Sequence, residues 1–258
     1  MSDRRALMGA SLGSGGGGLD WATLLAVDNL TSQQRTYPVN LVLPSTVQIL
    51  PRNAFAYCIG LESVSGPGVK NVGRDCFASC SNLTSVSFPS AIDWNYSYQP
   101  FDVCQNIQNW DIPWHEITGL NNRCFRNCSV PSVLAFPSIV GKVGGECFRY
   151  DTTLQAIDFG EGLTELSNGS IFANTSLSVL VLRKTSGVVT LGNANVLNTN
   201  CPFASSGTGG TIYVPSDLIS AYQSATNWSI ILGYANNSIE AIEGSQYETQ
   251  YADGTPIS

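Results

Sequence analysis

Charged side chains are scarce: Asp, Glu, Lys and Arg make up only 12% of the 258 residues, and the 12 cations are outnumbered by 19 carboxylates, for a net charge of −7. Beyond Arg4 and Arg5 no basic cluster occurs, which argues against nucleic acid as a partner, because phosphate binding needs grouped Lys and Arg. Histidine occurs once, as His115 in "IPWHEI". A single imidazole with no partner fixed by sequence supplies no conventional triad, and Glu116 beside it points to the opposite face of an extended chain. It reads as a turn histidine.

Long apolar runs are also missing, and none approaches the roughly 20 residues that cross a bilayer. The start, "MSDRRALMGASLGSGGGG", has too short an apolar stretch for a secretory signal. The expectation is a chain that stays in the cytoplasm or leaves the cell by lysis. The glycines at 13–18 lack the Lys-Ser/Thr of a phosphate loop and any preceding strand; they read as a flexible linker. Asp93, Asp102, Asp111 and Asp158 are scattered without a calcium-loop signature, and nothing selects a carboxylate pair for glycoside hydrolysis. The expectation is no enzyme, no cofactor and no metal.

What the chain does have is a 43% hydrophobic fraction, enough for a packed core, and eight cysteines. Two pairs stand in the spacing C-F-x-x-C, at Cys76/Cys80 and Cys124/Cys128. That spacing suits a metal clamp, a disulfide or redox pair, or a repeat with no thiol chemistry. The repeat absorbs it. Phe55, Phe77, Phe101, Phe125, Phe148, Phe172 and Phe203 follow one another at 22, 24, 24, 23, 24 and 31 residues. Nine residues after an anchor stand Val64, Val86, Trp110, Leu134, Ile157 and Ile212; twelve after stand Pro67, Pro89, Pro113, Pro137, Gly160 and Pro215. The Phe172 unit fits one residue short, through Leu177, Leu180 and Leu182. Each unit thus holds a short strand ending in a turn, then a second apolar pair such as Val69/Val72 or Leu163/Leu166.

A unit of this size cannot bury its apolar face alone, so the units stack. The predicted fold is a β-rich solenoid with one parallel sheet along a face. Cys58, Cys80, Cys104 and Cys128 fall three after an anchor, and Cys76, Cys124 and Cys147 one before. Other units place Asp151, Thr175, Ala54 or Ile171 there, replacements that a metal or disulfide site does not accept. The cysteines are therefore rungs of structural ladders, small buried hydrophobes. Cys201 lies outside both ladders and is the one thiol to watch for reactivity.

The pattern A-F-x-x-C-x-x-L-x-x-V-x-x-P closely resembles the BspA-like, or type-5, leucine-rich repeat family. It is carried by "NAFAYCIGLESVSGPGVKNVG" (53–73), "DCFASCSNLTSVSFPSAI" (75–92) and "ECFRYDTTLQAIDFGEGLTEL" (146–166). The stretch "TIYVPSDLISAYQSATNW" (211–228) resembles the family's closing strand and capping helix. Ser216 or Asp217 is placed to cap that helix, and Leu218, Ile219, Tyr222 and Ala225 share its apolar face. The register departs in "AIDWNYSYQP" (91–100), where the second apolar pair is expected. The domain plan is a Gly-rich arm over 1–27, an entry segment over 28–47, the solenoid over 48–215, and a capping helix with an acidic tail over 216–258. The opening "SDRRALMG" resembles starts of phage structural proteins.

The family resemblance implies a surface adhesion or binding role with no catalytic repeat position. The expected activity is non-catalytic binding and display. The sharpest form is a phage virion component (tail, baseplate or capsid-attached) whose arm docks into the particle and whose repeats contact a host surface glycan or protein. A bacterial surface adhesin and an intracellular interaction scaffold are the alternatives, and a homo-oligomer fits any of the three. The candidate binding residues are Trp94, Tyr96, Tyr98 and Trp114 in the aromatic stretch, with Asn109, Asp111 and Tyr213 on the outward sheet face. That face runs polar through Ser63, Ser65, Ser85 and Ser87, then turns apolar at Val133, Ala135, Val179 and Val181, a patch suited to contact with another chain.

Overall fold

The computed structural model describes residues 34–36, 39–167, 169–197 and 199–257. The arm over 1–27 and part of the entry segment therefore lie outside the described residues. The chain forms two compact units: the first runs through Pro113 and includes Cys124–Val130, and the second holds Trp114–Arg123 and everything from Pro131 onward.

The first unit contains β1 (Val39–Val42), β2 (Ile49–Leu50), β3 (Leu61–Ser65), β4 (Asn71–Val72), β5 (Ser85–Ser87), β6 (Asp93–Trp94) and β7 (Asn109–Asp111). β1, β3, β5 and β7 form a parallel sheet in that order, with Val64 level with Val86 and Val86 level with Trp110. β2 and β4 pair in parallel on the second face of the coil. Each unit is thus a parallel β-solenoid, and the strands fall where the anchors place them.

Inside the first unit the Phe anchors stack, Phe55 on Phe77 at 5.2 Å and Phe77 on Phe101 at 5.3 Å. The thiols follow the same ladder. Cys80 donates to the carbonyl of Phe55 at 3.1 Å, Cys104 to Phe77 at 3.0 Å and Cys128 to Phe101 at 3.2 Å. A thiol three after one anchor therefore satisfies the backbone of the anchor below it.

The turns around the anchors adopt an unusual backbone. Residues two before and two after an anchor are left-handed, including Asn53 and Tyr57 (φ 56° and 62°), Asp75 and Ser79 (55° and 63°), and Gln99 and Val103 (44° and 65°). The second unit repeats the pattern at Arg123, Glu146, Tyr150 and Asn174. Each such residue costs a side-chain-bearing amino acid roughly 1–2 kcal/mol. The return is a second hydrogen-bonded wall: alternate N–H groups at 53, 55 and 57 reach Arg74, Cys76 and Ala78 of the next coil at 2.9, 2.7 and 2.7 Å.

The second unit contains β8 (Gly119–Leu120), β9 (Val133–Phe136), β10 (Gly141–Val143), β11 (Ala156–Phe159), β12 (Leu163–Leu166), β13 (Val179–Leu182), β14 (Thr190–Leu191), β15 (Thr211–Val214) and β16 (Ser238–Ala241). Its main sheet runs β9-β11-β13-β15-β16, and β8, β10, β12 and β14 follow one another in the companion sheet. Gly160 stands where other coils carry Pro, because a Cβ there would lie 2.0 Å from the carbonyl oxygen of Pro137.

The helix expected after Val214 is present in two short pieces, α1 (Ile219–Ser224) and α2 (Trp228–Leu232). They seal the last coil through Tyr222, whose hydroxyl accepts from Val189 N–H, and Trp228, whose indole donates to the Val189 carbonyl at 2.7 Å. No side chain caps the entry; instead Ser216 N–H is taken by Glu243 at 2.8 Å. Nor does the helix end the stack. β16 comes after it and pairs in parallel with β15, Ile212 level with Ile239, so the sheet extends past residue 215.

Candidate binding surfaces

In the second unit the outward strand positions are Ala135, Ala156, Asp158, Val179, Val181 and Tyr213. Sequence alone leaves these, with Val133 and Thr211 beside them, open to a partner; the structure buries Ala135, Ala156, Asp158 and Val181 and leaves Val133, Val179, Thr211 and Tyr213 half-buried. Asp158 and Val181 are completely buried, and Val181 packs with Ile242 and Tyr247 of the C-terminal segment. Val179, Tyr213 and Ala252 complete that cluster. The tail after β16 lies over the sheet as a strap, and the apolar patch is its seat.

A charge centre holds the strap. Arg183, just past β13, donates through Nε to Asp158 Oδ1 at 2.8 Å and through Nη2 to Oδ2 at 2.7 Å. Its remaining reach goes to the tail, with Nη1 on the Tyr247 carbonyl at 2.9 Å and Nη2 on that of Gln250 at 3.0 Å. Asp158 in turn accepts Ala252 N–H at 2.9 Å. Burial pushes the Asp158 carboxyl above its usual range despite Arg183. The guanidinium also sits 4.9 Å from the Tyr251 ring centre. A planar five-donor fork suits this task better than any other cation.

His115 belongs to the same fastening. Its Nε2 lies 2.6 Å from Asp253 Oδ2 and its ring meets Tyr251 edge-on at 5.3 Å. The partner that sequence reading did not identify is thus 138 residues away along the chain. Burial works to raise the Asp253 carboxyl, but hydrogen bonds from His115 and Thr255 outweigh it and hold the group below its usual range.

Among the described residues, the corresponding face of the first unit carries no such strap. Ser63, Ser65, Ser85 and Ser87 are partly exposed, and Asn109 and Asp111 are exposed. Ser63 Oγ donates to Asn40 at 2.6 Å and Ser87 Oγ to Asp111 at 2.6 Å. These bonds fix a flat polar ladder across β1, β3, β5 and β7.

The aromatic candidates part company. Trp94 is fully buried, bonded from its indole N–H to the Ala91 carbonyl at 3.0 Å and packed 5.3 Å from Phe125; it is a core residue and presents nothing to a ligand. The stretch 91–100 does not break the register after all, because Ala91 and Trp94 stand 22 residues after Val69 and Val72 and are buried like them. Tyr96 is 78% exposed, while Tyr98 is half-buried beneath the Arg74 guanidinium at 4.7 Å. Trp114 lies in a 3-10 turn of the second unit against Phe136. Tyr213 is stacked edge-on with Tyr247 at 4.6 Å and so belongs to the strap's seat.

All eight thiols are buried and form no disulfide. Burial pushes Cys58 up to about 12, helped by Cys80, and raises Cys76 and Cys80 well above the ordinary value. Cys201 is no exception: it is buried, its thiol donates to the Leu197 carbonyl at 3.1 Å, and burial raises it too.

A model of the BspA type leucine rich repeat region matches the chain over residues 34–134 and 97–200, with six copies. No curated protein matches the sequence. Among solved structures, a leucine-rich repeat protein from Bacteroides ovatus is 16% identical with a TM-score of 0.44, covering 82% of this chain and 65% of its own, so the chain spans about two thirds of that relative. A leucine rich repeat protein of T. pallidum is 14% identical (TM-score 0.34; 79% of this chain, 86% of its own). A leucine rich cell surface protein from Faecalibacterium prausnitzii is 18% identical (TM-score 0.26; 80% and 79%).

Proposed function

Because the chain belongs to the BspA-type leucine-rich repeat family, we propose that it is a non-catalytic binding and display protein that meets its partner through the open polar face of β1, β3, β5 and β7. The observation that carries this reading is the contrast between the two sheet faces. One is closed by the chain's own tail through Arg183 and Asp158, and the other offers a flat, hydrogen-bonded ladder of serines ending in Asn109 and Asp111. In the finer form of the proposal the partner is a host surface glycan or protein, the chain is a virion component, and the segment 1–27 ties it to the particle, where several copies raise avidity.

Two experiments test this. Full-length protein is applied to host cells alongside a Ser63→Arg/Ser85→Arg variant, which raises bulk and charge on the flat face without touching the core. Wild-type binding with loss in the variant supports the reading; equal binding by both removes the face from it. Mass spectrometry of purified particles, with and without deletion of 1–18, tests the finer form. Absence from particles, or normal incorporation of the deleted chain, sinks the virion tether, and recovery at the bacterial surface instead favours an adhesin.

A further inference from the structure

The turn wall of the first unit holds a feature that the sheet face does not explain. Residues one after each anchor form a floor, and there the chain places Ala56 and Ala78. Residues two before supply one wall, Asn53, Asp75 and Gln99; residues two after supply the other, Tyr57 and Ser79. Together they bound an open groove of about 440 Å³, within the size range of small-ligand sites. The groove exists because the floor is alanine. One coil further the floor residue is Asp102, ion-paired at 3.3 Å with Arg126 on the following rung. In the second unit the same position carries Arg149, which pairs with the wall residue Glu146 at 3.3 Å.

The groove's chemistry is specific. Tyr57 is 63% exposed although its backbone is left-handed and bonded to Ala78 at 2.7 Å, so the ring stands on a fixed post. The carboxylates are oriented from outside, Asp75 by Arg74 Nε at 3.0 Å and Asp102 by Arg126. Arg35 also lines the groove and donates to the Ala56 carbonyl. Each carboxylate of the groove is therefore matched by an arginine and the Arg35 guanidinium is engaged by a backbone carbonyl, which disfavours a cation as ligand and leaves a site of near-balanced charge. An exposed aromatic face beside pinned carboxylates and amides fits a ring with apolar C–H faces and a rim of hydroxyls.

We propose that this groove binds a neutral oligosaccharide, with a hexopyranose ring stacked on Tyr57 and its hydroxyls bonded to Asp75, Asn53 and Gln99. The inference rests on the reading of the chain as a surface-binding protein and adds a second site, separate from the open sheet face.

The test is binding of full-length protein to maltotriose, cellotriose, mannotriose and chitotriose, with sialylated and sulfated trisaccharides as charged controls. At least one neutral probe is expected to bind and the charged ones to bind less well. Tyr57→Asn keeps a residue that tolerates the left-handed backbone and lowers affinity by about tenfold or more. Ala78→Arg copies the residue found on the same rung at Arg126, fills the floor and abolishes binding. Failure of every neutral probe, or undiminished binding by Ala78→Arg, overturns the groove. Sugar binding lost in Ser63→Arg/Ser85→Arg but kept in Ala78→Arg also overturns it, while leaving the surface-binding reading intact.

Discussion

Replacing Arg183 with Met is expected to loosen the C-terminal strap while leaving the coils beneath it folded. In the native protein the guanidinium makes four hydrogen bonds, two to Asp158 and two to carbonyls of the strap. Its side chain is 11% exposed and that of Asp158 is 0% exposed. Methionine keeps most of the aliphatic volume, so the loss is electrostatic. Breaking a buried pair from one side costs about 3–5 kcal/mol. Because burial already favours the protonated form of Asp158, the carboxyl can take up a proton once its partner is gone, which places the cost near the lower end. A loss of about 3 kcal/mol corresponds to a rise of about 100-fold in strap opening. Native-state hydrogen exchange reads this directly at Ala252, whose N–H is held by Asp158. The matched control is Asp158→Leu with Arg183→Met, which removes both charges; because it also removes the acceptor of Ala252 N–H, it is read by urea titration, where it should recover much of the stability that Arg183→Met loses. If Arg183→Met leaves exchange at Ala252 within about threefold of wild type, the charge centre does not hold the strap.

Three further outcomes follow from the same geometry. The two strap carboxylates have opposite pH signatures: Asp158, raised in the fold, contributes stability that is full below its unfolded value and lost as pH rises through its folded one, whereas Asp253, lowered, contributes above its unfolded value and loses it as pH falls through the folded one. Thermal melts of Asp158→Asn and Asp253→Asn across the acidic range should each remove one slope; identical profiles would contradict the assignment. Val103→Asn, at φ 65°, should stabilise the first unit by about 1 kcal/mol in urea titrations, since asparagine accepts the left-handed region that a β-branched residue resists. Cys58, pushed to about 12, should alkylate with iodoacetamide at pH 8 about a thousandfold more slowly than an ordinary thiol until the chain is unfolded, and rapid native labelling would refute the ladder role.

The coils were legible because their information is periodic. Val64, Val86 and Trp110 recur at fixed distance from their anchors, and they occupy aligned rungs of β3, β5 and β7. The thiol ladder was legible for the same reason. Trp94 was misjudged although its signal was present: size and aromaticity suggested a surface, while its spacing from Val72 placed it in the core. The strap left no such trace. Asp158, Arg183, Tyr247 and Ala252 are joined only by tertiary contact, and no period links a tail to the sheet it covers. The left-handed turns were hidden as well, because Asn, Tyr, Asp, Ser, Gln and Val all occupy them and side-chain identity does not announce the backbone. The alanine floor at Ala56 and Ala78 becomes meaningful only once those turns define what stands beside it.

The double wall of the first unit, sheet on one side and left-handed turns on another, also sets how that unit answers a pull. Its inter-coil hydrogen bonds run along the stacking direction, from Phe55 to Cys76 and from Phe77 to Pro100. Tension applied along that direction opens them in series rather than shearing them together. Each coil that detaches frees 22–24 residues, about 75 Å of extended chain in place of roughly 5 Å of stack height. A molecule held at both ends would lengthen in discrete steps under load, giving up coils one by one while those that remain keep their folded faces.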